Sequence, residues 1–494
     1  LFTKWFPYDW APDIAGGYGG PNYLYYGHLG FILPAIFLKF NFSVVFAIKL
    51  FILISILIAA TGSYLLYKDI GGVVTGLICS ASYLWAPYYS TLCYVRGAYP
   101  EFLAVSLYPW LFFLCRKYIG IKNTLYLVLS AGVFSIIYFI HTLSLVIISI
   151  AIILYFIVQL KFTTAYFLLL LKYFIVFMLL SLFFIVSCAQ FHLVDIKNQF
   201  ESADLFKQAA IPIYALLNTS GATGDILSHI FPGRIHLLFL FIITLITIAS
   251  GYWNRYLVIN LIFAFLFLFI STSFGARIII IIFPFLKFIQ FPFRFLSLFN
   301  IFLLMALAYF ISNVIRLDNK KFYCLIPLAI CAFYYPRIPA QTQTVFYDTI
   351  NSLRHSLLTL DHENKYMPLG SKLPKSERDC LFRFDKTAKI LEIKESVNDY
   401  IIKIECSESV VCDFNQYWFP NWQVDIDGNE GSLWQGGDLG ICQFKIPEGH
   451  HTVRVYFADS PSMSLAKIIS GISWCCLFVY LIWLFFIRNL LKYV

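Results

Sequence analysis

The sequence predicts an α-helical polytopic membrane protein carrying a small extracytoplasmic β-sandwich. Three observations lead there. The chain is 60% hydrophobic, 19% aromatic and 13% charged, more apolar surface than a soluble core absorbs. Its apolar runs recur at roughly 17 to 25 residues, the length of a spanning helix. One late region instead alternates polar and apolar residues in short runs separated by turn residues. The formal charge of +9 does not imply nucleic acid. The Lys and Arg residues sit mostly in short loops between apolar runs, where they set topology.

The chain opens on Lys4 to His28, KWFPYDWAPDIAGGYGGPNYLYYGH, too interrupted by Pro and Gly for a helix. It sets Asp9 and Asp13 among Trp5, Tyr8, Trp10 and Tyr18, and residues 1–40 read as a first outer loop. A carboxylate-bearing aromatic loop beside many apolar helices suggests a site at a membrane surface. The first residue is Leu1 rather than Met, from which a segment lost upstream is expected. His28 to Phe40 is apolar but short, as for an interfacial or re-entrant helix. Spans are then expected near 43–67, 72–90, 100–115, 124–140, 142–160, 173–190, 233–250, 256–271, 295–315, 321–335 and 464–487, about eleven in all.

With the opening loop outside, the inward loops hold Lys68; Arg116, Lys117 and Lys122; Lys161; Arg255; Arg316, Lys320 and Lys321; and a tail with Arg488 and Lys492. The short outer turns hold far fewer, the positive-inside asymmetry. Lys172 fits poorly and must snorkel. One further span upstream would make about twelve, with both ends inside.

Residues 1–335 thus form a transmembrane domain, 336–463 an extracytoplasmic segment with the sandwich, and 464–494 a last helix and cytoplasmic tail. Residues 190–231 are polar and broken by Gly221 and Gly224, an outer loop with a short helix. The strands are KILEIKES, DYIIKIECSES, VVCDFNQYWF, QVDIDGN, CQFKIP and HTVRVYFA, with turns at Asp427-Gly428 and Pro447-Glu448-Gly449. Of twelve cysteines, Cys79, Cys93, Cys115, Cys188, Cys324, Cys331, Cys475 and Cys476 lie in or beside apolar runs as packing residues. No CxxC pair marks a structural zinc site. In an oxidising compartment Cys406 could pair with Cys412.

Several residues are candidates for chemistry. Asp13 and Asp9 could deprotonate an acceptor hydroxyl or hold a divalent metal ion; both also suit turns and caps, Asp13 especially, between Pro12 and Gly16-Gly17. In YVRGAYPE, Arg96 and Glu101 stand at the mouth of adjacent spans. Charges there face a cavity or a partner, so Arg96 either binds a lipid phosphate or pairs with Glu101. His141, in FIHTLS between two spans, is a base, a ligand or a hydrogen-bonded junction residue. In IQFPFRF, Gln290 and Arg294 follow a short apolar segment, 277–288, that dips into the membrane. The Arg294 fork suits a phosphate, or anchors at the interface. NQYWFPNWQVDIDG builds the sandwich and a hairpin, with sugar stacking on Trp418 or Trp422 a secondary reading. There is no phosphate loop of an ATP-driven transporter, no G-x-S-x-G and no H-E-x-x-H. Charges inside spans are sparse, against an ion-coupled pump.

At these blocks the chain resembles a known family. WFPYDWAPDIAGGYGGPNYLYYGHLGFIL, VRGAYPEFLAVSLYP, FIHTLS and IQFPFRFLSL are similar, in order, to multi-spanning bacterial proteins labelled 6-pyruvoyl-tetrahydropterin synthase-related membrane domain. NQYWFPNWQVDIDG and KIPEGHHTVRVYF resemble the outer β-domain of large YfhO-like membrane proteins. Pterin synthases are soluble zinc enzymes with a histidine cluster, which this chain lacks, so pterin chemistry is rejected. The resemblance implies a GT-C-like fold: glycosyltransferases using polyprenyl-phosphate-linked sugars at the outer face of the bacterial inner membrane. Their usual catalytic acid lies in the first outer loop; in this family it is expected just before Leu1, leaving Asp9 and Asp13 as second choices. By the same resemblance Arg294 and Arg96 are phosphate partners, and Glu101 and His141 line the cavity. The competing readings are a non-enzymatic transporter or flippase for lipid-linked glycans, or an assembly scaffold whose β-domain binds cell-surface polymer.

Overall fold

The computed structural model describes residues 9–160, 164–195, 206–207, 209–216, 232–251, 253–315, 367–372, 374 and 376–490. The predicted span at 321–335 and the segment 336–366 lie outside the described residues, as do most of 196–231. The chain divides into two units. One comprises Leu1–His28, Met178–Gln199 and Gln341–Val494; the other comprises Leu29–Phe177 and Phe200–Ala340.

Helix α1 (Asn22–Tyr25) belongs to the first unit, and the second unit is helical. It runs through α2 (Leu29–Lys39), α3 (Val44–Leu84), α4 (Pro87–Tyr94), α5 (Tyr99–Ile121), α6 (Thr124–Ile140), α7 (Thr142–Leu160) and the first part of α8 (Thr164–Ala189). It continues through α9 (Arg234–Ser250), α10 (Arg255–Ser271), α11 (Ser273–Ile282) and α12 (Leu296–Phe310). Local chemistry starts these helices: Ser43, Asn123, Asn254 and Thr272 each cap one with a side-chain oxygen.

α3 contains the two spans expected near 43–67 and 72–90, joined by a backbone break at Gly72 (φ 85°, ψ −178°), a conformation only glycine takes at ease. The two arms fold against each other. Ser63 Oγ and Ser80 Oγ are 2.8 Å apart, and Ser80 Oγ donates to the Ala60 carbonyl at 3.1 Å. Small residues at this seam let the helices approach closely. Trp110 of α5 occupies the notch beside Gly62 and donates to the Ile58 carbonyl at 2.9 Å. The second expected span is not one helix: α3 ends at Leu84 and Pro87 starts α4, since proline suits a first turn and breaks an interior.

Among the described residues, five helices are long and apolar enough to cross a membrane: Val44–Leu84, Tyr99–Ile121, Phe167–Ala189, Pro292–Asn313 and Pro461–Leu484. Other apolar helices are shorter, such as Arg255–Ser271 with 17 residues, about 25 Å of helix.

The first unit holds the sheet domain, beside a two-stranded pairing of β1 (Val194–Asp195) with β2 (Met367–Pro368). One antiparallel sheet has the order β3-β6-β10-β9: Phe382–Phe384, Val410–Tyr417, Ile441–Ile446 and Leu433–Gly436. The other has the order β4-β5-β11-β7-β8: Ala388–Ser396, Asp399–Cys406, Gly449–Phe457, Trp422–Ile426 and Asn429–Glu430. Alternate residues of both, including Phe414, Phe444, Ile402 and Val455, fill one shared core. Asp427 (φ 53°) and Gly428 (φ 82°) form the two-residue hairpin turn that the Asp-Gly pair predicts. Pro447-Glu448-Gly449 instead carries the chain from one sheet to the other. Cys406 and Cys412 are free, correcting the expected disulfide. Their strands belong to different sheets, so they are not cross-strand neighbours and each fills its own place in the core.

The opening loop is part of this core. Trp10 is fully buried and packs against Phe419, Trp422 and Phe457 with ring centroids 5.4–6.0 Å apart. Its Nε1 donates to Gln416 Oε1 at 2.7 Å, and Gln416 Nε2 donates to the Gly17 carbonyl at 2.9 Å. Ala11 and Gly20 exchange backbone bonds of 2.8 and 3.0 Å that close the loop. Gly19 (φ 74°) sits so near Gln416 and Trp10 that a side chain there would collide with both. Trp10 thus serves packing. Buried Trp422 cannot offer a ring face to a sugar, which corrects that half of the reading; Trp418 is half-buried. α13 (Pro461–Leu490) follows the sandwich; its Ser470 hydroxyl accepts from Phe183 N at 3.1 Å, and its Trp474 Nε1 donates to the Leu180 carbonyl at 3.0 Å.

Truncating Trp10 to Ala should cost the sheet domain about 3–5 kcal/mol, read from thermal unfolding. A second expectation concerns the hairpin, where His451 Nδ1 lies 2.7 Å from Asp427 Oδ2. The hydrogen bond to Asp427 raises His451 above its ordinary 6.5, and the bond to His451 lowers Asp427 below its ordinary 3.8. The His451 contribution is complete below 6.5 and lost as pH rises through its raised value. The Asp427 contribution is complete above 3.8 and lost as pH falls through its lowered value. Both are therefore present between 3.8 and 6.5. Asp427→Asn should remove this pH dependence from the unfolding midpoint of the sheet domain.

Candidate functional site

Five of the seven candidate residues belong to the helical unit. Pro100 and Glu101 both stand in the first turn of α5, where proline is tolerated and a carboxylate is favoured by the helix dipole. Glu101 is only 3% exposed, yet its oxygens are well supplied. Oε1 accepts from the Tyr88 hydroxyl at 2.6 Å; Oε2 accepts from Arg96 Nη1 at 3.0 Å and from Arg294 Nε at 3.2 Å. A carboxylate buried among apolar helices stands only with such charge-assisted partners. With these lone pairs engaged, Glu101 is an organiser of charge rather than a ready proton acceptor.

Arg294 is fixed by a second bond, from Nη1 to the Ile289 carbonyl at 2.6 Å. That carbonyl is presented by a tight turn. Gln290 has φ 66° and ψ −45°, and Phe291 N donates back to Ile289 O at 2.7 Å. This is a three-residue γ-turn of the strained hand, unusual for a residue with a side chain. The contribution of Gln290 seen here is its backbone. The guanidinium of Arg294 lies over the Phe291 ring at 4.9 Å and that of Arg96 over Phe293 at 5.0 Å, so aromatic faces supplement the carboxylate. Arg294 is buried; Arg96, on the turn between α4 and α5, is half-buried.

His141 breaks the helix between α6 and α7 and is buried. Its Nδ1 accepts from Ser144 N at 3.2 Å and lies 2.8 Å from Ser144 Oγ. Accepting a backbone N–H leaves the neutral ring's proton on Nε2. His141 feels the charges of Glu101, Arg294 and Arg96. Tyr108 donates to the Ser144 carbonyl at 2.9 Å and extends the network. The structure thus brings Arg96, Glu101, His141, Gln290 and Arg294 into one neighbourhood. Tyr88, Tyr108 and Ser144 belong to it as well. An isolated Tyr or Ser in an apolar run carries no sequence signal, so they were not legible.

Asp9 and Asp13 lie in the other unit. Asp9 Oδ2 accepts from Lys467 Nζ at 2.7 Å, and the same ammonium donates to both Asp459 oxygens at 2.8 Å. Burial raises the Asp9 carboxyl, while the Lys467 charge pulls it down. Asp13 is exposed near the tip of the loop. Among the described residues no group of three or more His, Cys, Asp or Glu side chains is arranged to hold a metal ion.

Apolar helices of spanning length, a buried ionic cluster and a sheet domain define a polytopic membrane protein in contact with the lipid bilayer. The chain belongs to the 6-pyruvoyl-tetrahydropterin synthase related domain family of membrane proteins, whose model matches residues 23–337. That stretch holds the whole Glu101 cluster and excludes Asp9 and Asp13. No curated protein and no solved structure matches the chain.

Glu101→Ala should cost about 3–5 kcal/mol, because it strands two guanidiniums in an apolar setting. Tyr88→Phe should cost about 1.5–3 kcal/mol, one hydrogen bond to a charged group. Thermal unfolding in detergent measures both.

Proposed function

We propose that this protein is a GT-C-like glycosyltransferase of about eleven spans in the bacterial inner membrane. It would transfer a sugar from a polyprenyl-phosphate donor to an extracytoplasmic glycan, lipid or protein. Residues 1–335 form its transmembrane domain, 336–463 an outer segment with the sandwich, and 464–494 the final helix and tail. The observation that carries this reading is the sharing of one Glu101 oxygen by Arg96 and Arg294. These three groups carry two positive charges against one negative.

In this reading Glu101 and Tyr88 fix the guanidiniums in advance. Half-buried Arg96 meets the lipid phosphate, and Arg294 supplies fixed positive charge behind it. His141 and Gln290 line the same site. Asp13, exposed, takes the proton of the acceptor hydroxyl; Asp9, committed to Lys467, is the weaker candidate. The hydroxyl oxygen attacks the anomeric carbon, the bond to the phosphate oxygen breaks, and polyprenyl phosphate leaves with the electron pair. A single displacement inverts the anomeric centre. Where a divalent metal ion is used, Asp13 would serve as one ligand instead of as base.

A second reading, a transporter or flippase for lipid-linked glycans, draws on the break at Gln290 between α11 and α12, since interrupted helices mark transport sites. Chemistry separates the two. The test reconstitutes the protein with labelled polyprenyl-phosphate sugars and measures released polyprenyl phosphate. Arg96→Ala and Arg294→Ala should each lose about 100- to 1,000-fold, and Arg294→Lys should also lose much, lacking the fork. Wild-type release unchanged in Arg96→Ala would sink the assignment. Movement of intact donor across the bilayer without release would favour transport.

A further inference from the structure

The outer face of the four-stranded sheet carries a row of side chains in register across all its strands. Trp434 on β9 stands opposite Gln443 on β10, Gln443 opposite Asp413 on β6, and Asp413 opposite Arg383 on β3. Residues flanking these on β6 and β10, such as Cys412, Phe414, Cys442 and Phe444, face the core. The row therefore points away from it, as strand alternation requires. Two hydrogen bonds lock its middle. Trp434 Nε1 donates to Gln443 Oε1 at 3.1 Å, and Gln443 Nε2 donates to Asp413 Oδ1 at 2.7 Å. A side chain at Gly436 would collide with the Gln443 carboxamide, so glycine leaves room for it to lie along the sheet. Trp434 nevertheless stays 39% exposed.

We propose that this row is an oligosaccharide-binding surface centred on Trp434. The indole, pinned through its nitrogen, offers an apolar ring face to the C–H face of a sugar. The amide, carboxylate and guanidinium beyond it alternate donors and acceptors, matching hydroxyls that do both. Neighbouring strands are about 4.8 Å apart, so four strands give a row of about 14 Å, the reach of a short oligosaccharide rather than one ring. Charge argues against nucleic acid. Arg383 and Lys445 on this face are balanced by Asp413 and by Asp379, which lies 3.8 Å from Arg383. A phosphate backbone needs a basic groove. The surface requires no turnover and stands whether or not the helical unit is a transferase.

The test uses the full chain in lipid nanodiscs and saturation-transfer NMR with cellohexaose, maltohexaose, chitohexaose and mannohexaose as probes. At least one should receive saturation on its ring protons. Trp434→Ala should abolish that signal, Trp434→Phe should retain it, and Gln443→Ala should weaken binding about tenfold. Unfolding midpoints confirm that the variants are folded; should Trp434→Ala fail there, Gln443→Ala carries the comparison. Silence from all four probes at millimolar concentration would overturn the proposal. So would an unchanged signal in Trp434→Ala and Gln443→Ala, or binding of an acidic peptide where no sugar binds.

Discussion

A carboxylate among apolar helices must be answered by positive charge at hydrogen-bond distance, and the helical unit is arranged around that constraint. Glu101 draws Tyr88 from α4, Arg96 from the following turn and Arg294 from a segment 193 residues away. Each partner brings its own support: Arg294 needs the Ile289 carbonyl, and that carbonyl needs the strained turn at Gln290. A buried ionic group of this kind is weak evidence for stability, because well-packed apolar side chains would often do as well. Its presence fits a demand for charge held at a fixed place.

The same rule acts in the other unit with a different result. Lys467 is shared by Asp9 and Asp459, so two carboxylates compete for one ammonium. Asp9 is thereby a fastening for the opening loop on α13. The loop that reads as the obvious location for chemistry is, in its described residues, to a large extent a structural part of the sandwich, with Trp10 as its anchor and Asp13 facing solvent. The matched family segment begins after both aspartates and encloses the Glu101 cluster.

Much of the helix and strand pattern was legible because periodicity and turn chemistry are local signals. Apolar runs gave the helices, Asp427-Gly428 gave the hairpin, and the short loop at Lys68 separated two expected spans that do form separate arms. Arg96 and Glu101, five residues apart, could be paired by inspection. The Arg294 contact could not, since nothing local in IQFPFRF points to Glu101. The opening loop misled for a related reason. Aromatics and carboxylates between turns look alike whether they line a site or complete a core, and the deciding partner, Gln416, is 406 residues away. Trp422 was ambiguous in the same way until the register of the two sheets placed it inside. Trp434, one aromatic in a short edge strand, gained meaning only from its cross-strand neighbours.

That separation between Trp10 and Gln416 also sets an order of events during synthesis. At about 5–20 residues per second, the ribosome takes roughly 20–80 seconds to travel from one to the other. Throughout that interval Trp10 has no indole pocket to enter, because Phe419, Trp422 and Phe457 do not yet exist. The opening loop must therefore be kept from misassociating while the helices are inserted, and its unit can close only near the end of translation. A contact of such long range places this unit late in folding. Destabilising substitutions in β6 or β7 would accordingly release a segment made far earlier, at the opposite end of the chain.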